Sequence, residues 1–152
     1  MSDQIPLRAP LTIEYPFTRT VGPVQSAFLT GLREGIVLGI RRSDGTVLVP
    51  PVEYDPYTAE ELTELVEVAE TGTITSWAWE PAPDERQPLD GPFAWALIRL
   101  DGADTSMLHV VDAPDLDTVQ TGDRVRIRWA DEREGAITDI ACFEPADDRG
   151  PT

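Results

Sequence analysis

What this sequence lacks narrows its chemistry before any motif is considered. Its 152 residues contain one cysteine, Cys142, and one histidine, His109. A single cysteine excludes an internal disulfide and a thiolate metal cluster, and a single histidine leaves a metal short of its usual nitrogen ligands. No apolar run reaches the roughly 18 residues that a membrane span needs. The opening MSDQIPLRAPLTIEYP has no basic segment followed by an apolar core, so a cytoplasmic location is expected rather than secretion. Cations are scarce, with 12 Lys and Arg against 28 Asp and Glu, a net charge of −16. So acidic a surface repels a phosphate backbone, which argues against sequence-independent binding of nucleic acid. No GxGxxG, P-loop or GxSxG pattern occurs.

What is present suffices for a core: 41% of the residues are hydrophobic, in a chain long enough for one domain with a small appendage. The stretch 64–79, ELVEVAETGTITSWAW, reads as one long strand that Gly72 bends or bulges at its middle. Simple alternation puts Val66, Val68, Ile74 and Ala78 on one face, and Thr71, Thr73, Thr75, Trp77 and Trp79 on the other. Residues 1–21 set Pro6, Pro10 and Pro16 among Leu7, Leu11, Ile13, Tyr15 and Phe17. They suit an extended arm that packs along its own barrel or reaches onto a partner.

Residues 22–63 open with a helix from Gly22-Pro23 to Gly35, carrying Val24, Phe28 and Leu32 along one side. A hairpin of strands 36–41 and 46–49 turns at Asp44-Gly45, and Pro50-Pro51 ends it. The Thr58–Glu61 spacing suits a capping box and one helical turn. Beyond residue 79 lie a proline-rich loop at 81–92 and strands at 93–100, 106–111, 124–129 and 136–143. A polar connection spans 112–122, and a disordered tail is expected at 146–152. The fold expected is mainly β, with a five-stranded OB-fold barrel over 64–145.

Candidate sites are few. Asp112, Asp115, Asp117 and Asp123 imitate a calcium loop, but Pro114 interrupts it and no glycine stands at the sixth position, so a solvated turn is expected. His109 shares a strand face with Met107 and Val111 and reads as a half-buried, hydrogen-bonded residue, and Cys142 as a small core residue. Arg124, Arg126 and Arg128 line one face of a strand. Three readings stay open for them: surface pairing with carboxylates, docking of a protein partner, or contact with the phosphates of coenzyme A. Trp77, Trp79 and Trp95 suit core packing or burial against a partner better than base stacking, given the charge. No catalytic, cofactor-binding or metal-binding residue is expected.

In order and content the elements over about 24–144 resemble the acyl-CoA-associated zinc-ribbon/OB-fold family, known as domain of unknown function thirty-five. The resemblance rests on Gly31-Leu32-Arg33-Glu34-Gly35 at the helix end and on Val49-Pro50-Pro51. Further matches are GTITSW at 72–77, PFAWALIRLDG at 92–102 and TGDRVRI at 121–127. The family's ribbon carries two Cys-x-x-Cys knuckles. Here Arg41 and Asp44 stand at the first and Asp55 and Thr58 at the second, so the resemblance is to zinc-less members, which occur in actinobacteria. The resemblance implies a degenerate, metal-free ribbon held by packing, the Asp44-Gly45 turn and an Arg41–carboxylate pair.

It also implies a non-catalytic subunit that binds and stabilises a thiolase-like or lipid-transfer-type acyl-CoA enzyme, a thiolase or retro-aldolase of steroid side-chain degradation. In such a hetero-oligomer the partner carries the catalytic residues and holds most of the acyl-CoA. Phe28, Trp77, Trp79, Trp95, Arg124, Arg126 and Arg128 are then the candidate contacts. The alternative is a stand-alone acyl-CoA or lipid-binding module that uses the arginine stripe.

Overall fold

A proline that needs no hydrogen-bond acceptor begins helix α1, Pro23–Glu34, and a left-handed glycine ends it. Gly35 has φ 76°, and its amide and that of Ile36 donate back to Leu32 and Gly31 at 3.0 and 2.8 Å. Gly22 has no side chain to cap the first turn. Glu53 does so instead, accepting from the amides of Val24 and Gln25 at 3.1 Å each. This computed structural model describes residues 9–16 and 20–146.

Strands β1 (Val37–Arg41), β2 (Val47–Leu48) and β3 (Glu64–Val68) form an antiparallel sheet in the order β2-β1-β3. Strands β4 (Thr71–Glu80), β5 (Phe93–Leu100), β6 (Met107–Val111), β7 (Arg124–Trp129) and β8 (Ile140–Pro145) close into a barrel in the order β4-β5-β6-β8-β7. The parallel pairing of β6 with β8, at Val111 and Phe143, completes the Greek-key barrel of an OB-fold, as expected. The two sheets are knit together. The β5–β6 turn supplies Asp104 and Thr105, whose side chains accept from the amides of Val47 and Val49 at 2.8 Å each. One continuous core runs from Phe28, Leu32 and Val49 beside the ribbon to Ile74, Ile98, Val125 and Phe143 in the barrel.

Several expectations need correction. The long strand at 64–79 is two strands: β3 pairs with β1 in the ribbon sheet, and the chain leaves that sheet at Ala69 and Glu70 before β4 enters the barrel. The irregularity in β4 lies between Ile74 and Ser76, not at Gly72. One extra residue there shifts the alternation by one. Gly72 and Ile74 therefore face inward before the bulge. After it Trp77 and Trp79 do so, and Ala78 is turned out to solvent. Gly72 serves close approach instead, since a Cβ there would lie 2.5 Å from the carbonyl oxygen of Arg99.

The expected helical turn at 58–61 is absent. Asp55 accepts from the amides of Tyr57 and Thr58, and Ala59, at φ 61°, closes a tight turn that sets Tyr54 against Glu61. The last strand begins at Ile140, after a 3-10 turn at Ile137–Asp139. Buried Asp139 holds that turn by accepting from the amides of Glu134, Gly135 and Ala136. Of the expected arm, residues 9–16 form neither helix nor strand and are exposed, with Leu11, Ile13 and Tyr15 at 82, 62 and 79% exposure. The rest of that arm, apart from 20 and 21, and the expected tail at 147–152 fall outside the described residues.

Candidate functional site

At the ribbon tip a cation of the chain's own sits between two carboxylates. It is Arg42, not Arg41. Arg42 Nε donates to Asp55 at 2.7 Å and Nη1 to Asp44 at 2.5 Å and Thr46 at 3.1 Å. The Tyr57 ring lies against the guanidinium, 4.9 Å from its centroid. Asp55 is 3% exposed, and the Arg42 bond, with backbone amides, holds its carboxyl down at about 2. Arg41 points elsewhere and pairs with Glu64 at 2.9 Å. A zinc ion does not fit this arrangement: no thiolate is present, and a divalent cation would face the like charge of Arg42. Among the described residues no three His, Cys, Asp or Glu side chains are grouped to hold a metal ion.

The arginine stripe on β7 is laced to carboxylates. Arg124 bonds both oxygens of Asp101, whose carboxyl is held down at about 2 chiefly by that bond. Arg126 pairs with Glu144 at 2.8 Å, and Arg128 with Asp112 at 2.9 Å. A phosphate would have to displace these partners from all three.

The aromatic candidates do not converge either. Phe28 is 3% exposed and belongs to the core, which removes it from any contact surface. Trp77 and Trp79 half-bury themselves against the same core from the inner side of β4. Trp95 stands apart, on the outside of β5, edge-on to Phe93 with ring centroids 5.4 Å apart.

Around Trp95 lies the feature that residue patterns did not reveal. Strands β6 and β8 share the single pairing at Val111 and Phe143 and diverge beyond it, leaving an apolar groove of about 460 Å³. Trp95, Leu108, Ile137 and Ile140 line it, with Leu89 from the 81–92 loop on one side and His109 within the gap. Leu108 and Ile137 are 60 and 44% exposed. Under the groove Phe93, Val110 and Cys142 form a small buried cluster outside the barrel proper. Burial pushes the Cys142 thiol up to about 11, which makes it an inert packing residue. Burial also lowers the pKa of His109, and its Nδ1 has no hydrogen-bond partner among the described residues. A neutral histidine without an orienting carboxylate is not an arrangement for general-base catalysis.

Residues 65–130 match the family model described as the ChsH2 C-terminal OB-fold domain. A solved DUF35-family protein of unknown function from Sulfolobus solfataricus is 25% identical, with a TM-score of 0.56 over 70% of this chain and 78% of that one. A solved Ltp2–ChsH2(DUF35) aldolase superposes with a TM-score of 0.60 over 84% of this chain and 98% of that one. At 18% identity that likeness is one of fold. No curated protein matches. Among the described residues no helix is long and apolar enough to cross a membrane. The barrel's strand order, the family match over 65–130 and the superpositions agree with the resemblance read from the sequence: over those residues the chain matches the ChsH2-type C-terminal OB-fold domain.

Proposed function

We propose that this protein is a non-catalytic partner subunit of a thiolase-like or lipid-transfer-type acyl-CoA enzyme, a thiolase or retro-aldolase acting in the cytoplasm on steroid side-chain CoA esters. The observation that carries the reading is the superposition on a chain of the Ltp2–ChsH2(DUF35) aldolase, nearly the whole of whose length this chain covers. Two features of the molecule support it. Nδ1 of His109 has no hydrogen-bond partner among the described residues and Cys142 is protonated and buried, so the two side chains best suited to chemistry are poorly placed for it. The arginines that could hold coenzyme A phosphates are already engaged with carboxylates, which supports a reading in which the partner holds most of the acyl-CoA.

The test is co-expression with a thiolase-like protein from the same source, followed by size-exclusion chromatography and assay. Co-elution, with aldolase or thiolase activity of the pair above that of either protein alone, is the expected result. Separate elution, with no gain on mixing, would sink the reading. The groove favours one alternative, a stand-alone acyl-CoA or lipid-binding module. It would be preferred if the isolated protein bound an acyl-CoA with micromolar or better affinity in calorimetry.

A further inference from the structure

The groove beside Trp95 has an exposed apolar extension. Leu97 and Leu108 are register partners on the outer face of β5 and β6, 41 and 60% exposed. With Trp95 and Ile137 they make a continuous greasy surface on a chain of net charge −16. A patch of large apolar side chains on so polar a surface marks a place of contact. β5 is paired on both sides, with β4 and β6, whereas β6 meets β8 only at Val111 and Phe143. The gap between β6 and β8 is lined by apolar side chains, so recognition rests on side chains entering the groove.

Charge selects the occupant. The 81–92 loop that forms one wall carries exposed Asp84, Glu85 and Asp90 against Arg86, which is itself paired with Asp84. Exposed Asp131, Glu132 and Glu134 precede Ile137 on the other wall, with Arg133 turned to Trp129 and to the Arg33 carbonyl. A second copy, a chain of net charge −16, and the phosphates of an acyl-CoA would both approach this acidic surface against repulsion. A protein segment with apolar side chains flanked by Lys or Arg is attracted, and its apolar groups fill the groove.

We propose that the groove is the docking site for such a segment, supplied by the partner enzyme, with Trp95, Leu97, Leu108 and Ile137 as its main contacts; the proposal rests on the partner-subunit reading. It predicts an interface that is apolar at its centre, acidic on this side and basic on the other.

The test measures binding of the full chain to a thiolase-like protein from the same source, by calorimetry or surface-immobilised titration. Leu108→Glu and Ile137→Glu are compared with a ribbon-tip control, Tyr57→Glu, each first checked for an unchanged circular dichroism spectrum and melting temperature. The alternative pair Leu108→Ser and Ile137→Ser replaces any glutamate variant that fails this check. Expected is a loss of affinity of about 30-fold or more for each groove variant, and none for the control. A several-fold weakening of the wild type between 0.05 and 0.5 M salt is expected as well. Wild-type binding that the groove substitutions leave intact overturns the docking site while the subunit reading stands. Absence of wild-type binding overturns both. Self-association, or palmitoyl-CoA binding that Leu108→Glu abolishes, overturns the proposed occupant.

Discussion

The guanidinium of Arg42 fixes two turns of the ribbon much as a metal ion would, but it answers to different variables. Asp55 donates no proton to this cluster; it only accepts, from Arg42 and from two backbone amides. Its pKa is lowered to about 2, so the stabilisation is complete above its ordinary value near 3.8 and is lost as pH falls through about 2. Asp55→Asn keeps the shape but removes the charge. It should lower the melting temperature at pH 7, by more than Arg41→Gln, whose exposed pair with Glu64 contributes little. The gap between wild type and Asp55→Asn should close between pH 4 and pH 2, which thermal melts across that range would measure. The expected Arg41–carboxylate pair is present, with Glu64, but the Arg42 cluster with Asp44 and Asp55 was not read from the sequence. Arg41 ends β1, paired to β3, whereas Arg42 stands just past the strand, where the chain turns toward Asp55. That difference is set by hairpin register, which spacing from Pro50-Pro51 does not fix.

Among the elements, β5 and β7 were legible to the residue, because an apolar run between turns and a strict Arg–apolar alternation each admit one reading. Nothing local marks the break at Ala69 and Glu70. The composition stays β-favouring throughout 64–79, and only the pairing partners of β3 and β4 separate them. The bulge between Ile74 and Ser76 was equally hidden, since its Thr75 is an ordinary strand residue and the residue type that suggests a bulge is Gly72. Gly72 still has a measurable role. With the Arg99 carbonyl and the Leu100 Cα within 3 Å of any Cβ, both of them backbone, Gly72→Ala must push β4 from β5. A loss of about 1–3 kcal/mol in denaturant unfolding is expected. The ribbon offers a complementary measurement. Because Arg42 occupies its tip, an excess of EDTA should leave the melting temperature unchanged, and metal analysis of chelator-washed protein should find well under one zinc per chain.

For the whole molecule, the question is whether ribbon and barrel are separate bodies. Composition suggested an appendage followed by a barrel, and the groove between β6 and β8 was invisible to it. Both features depend on contacts between residues far apart in the chain. The packing argues for one cooperative unit: Phe28 and Leu32 on α1 share a buried core with Ile74 and Phe143, and the β5–β6 turn bonds the edge of β2. A cavity at Phe28 should therefore be felt across the molecule. Phe28→Ala is expected to cost about 3–5 kcal/mol. The variant should still unfold in a single transition in which far-ultraviolet circular dichroism and fluorescence coincide, because Trp77 and Trp79 report on the barrel. Two separated transitions, with the tryptophan signal unchanged through the first, would mean that α1 and the ribbon unfold on their own. The shared core would then be a contact between two folding units rather than the interior of one. If the transitions coincide, a partner that grips the barrel stabilises the ribbon through that core, without touching Arg42 at all.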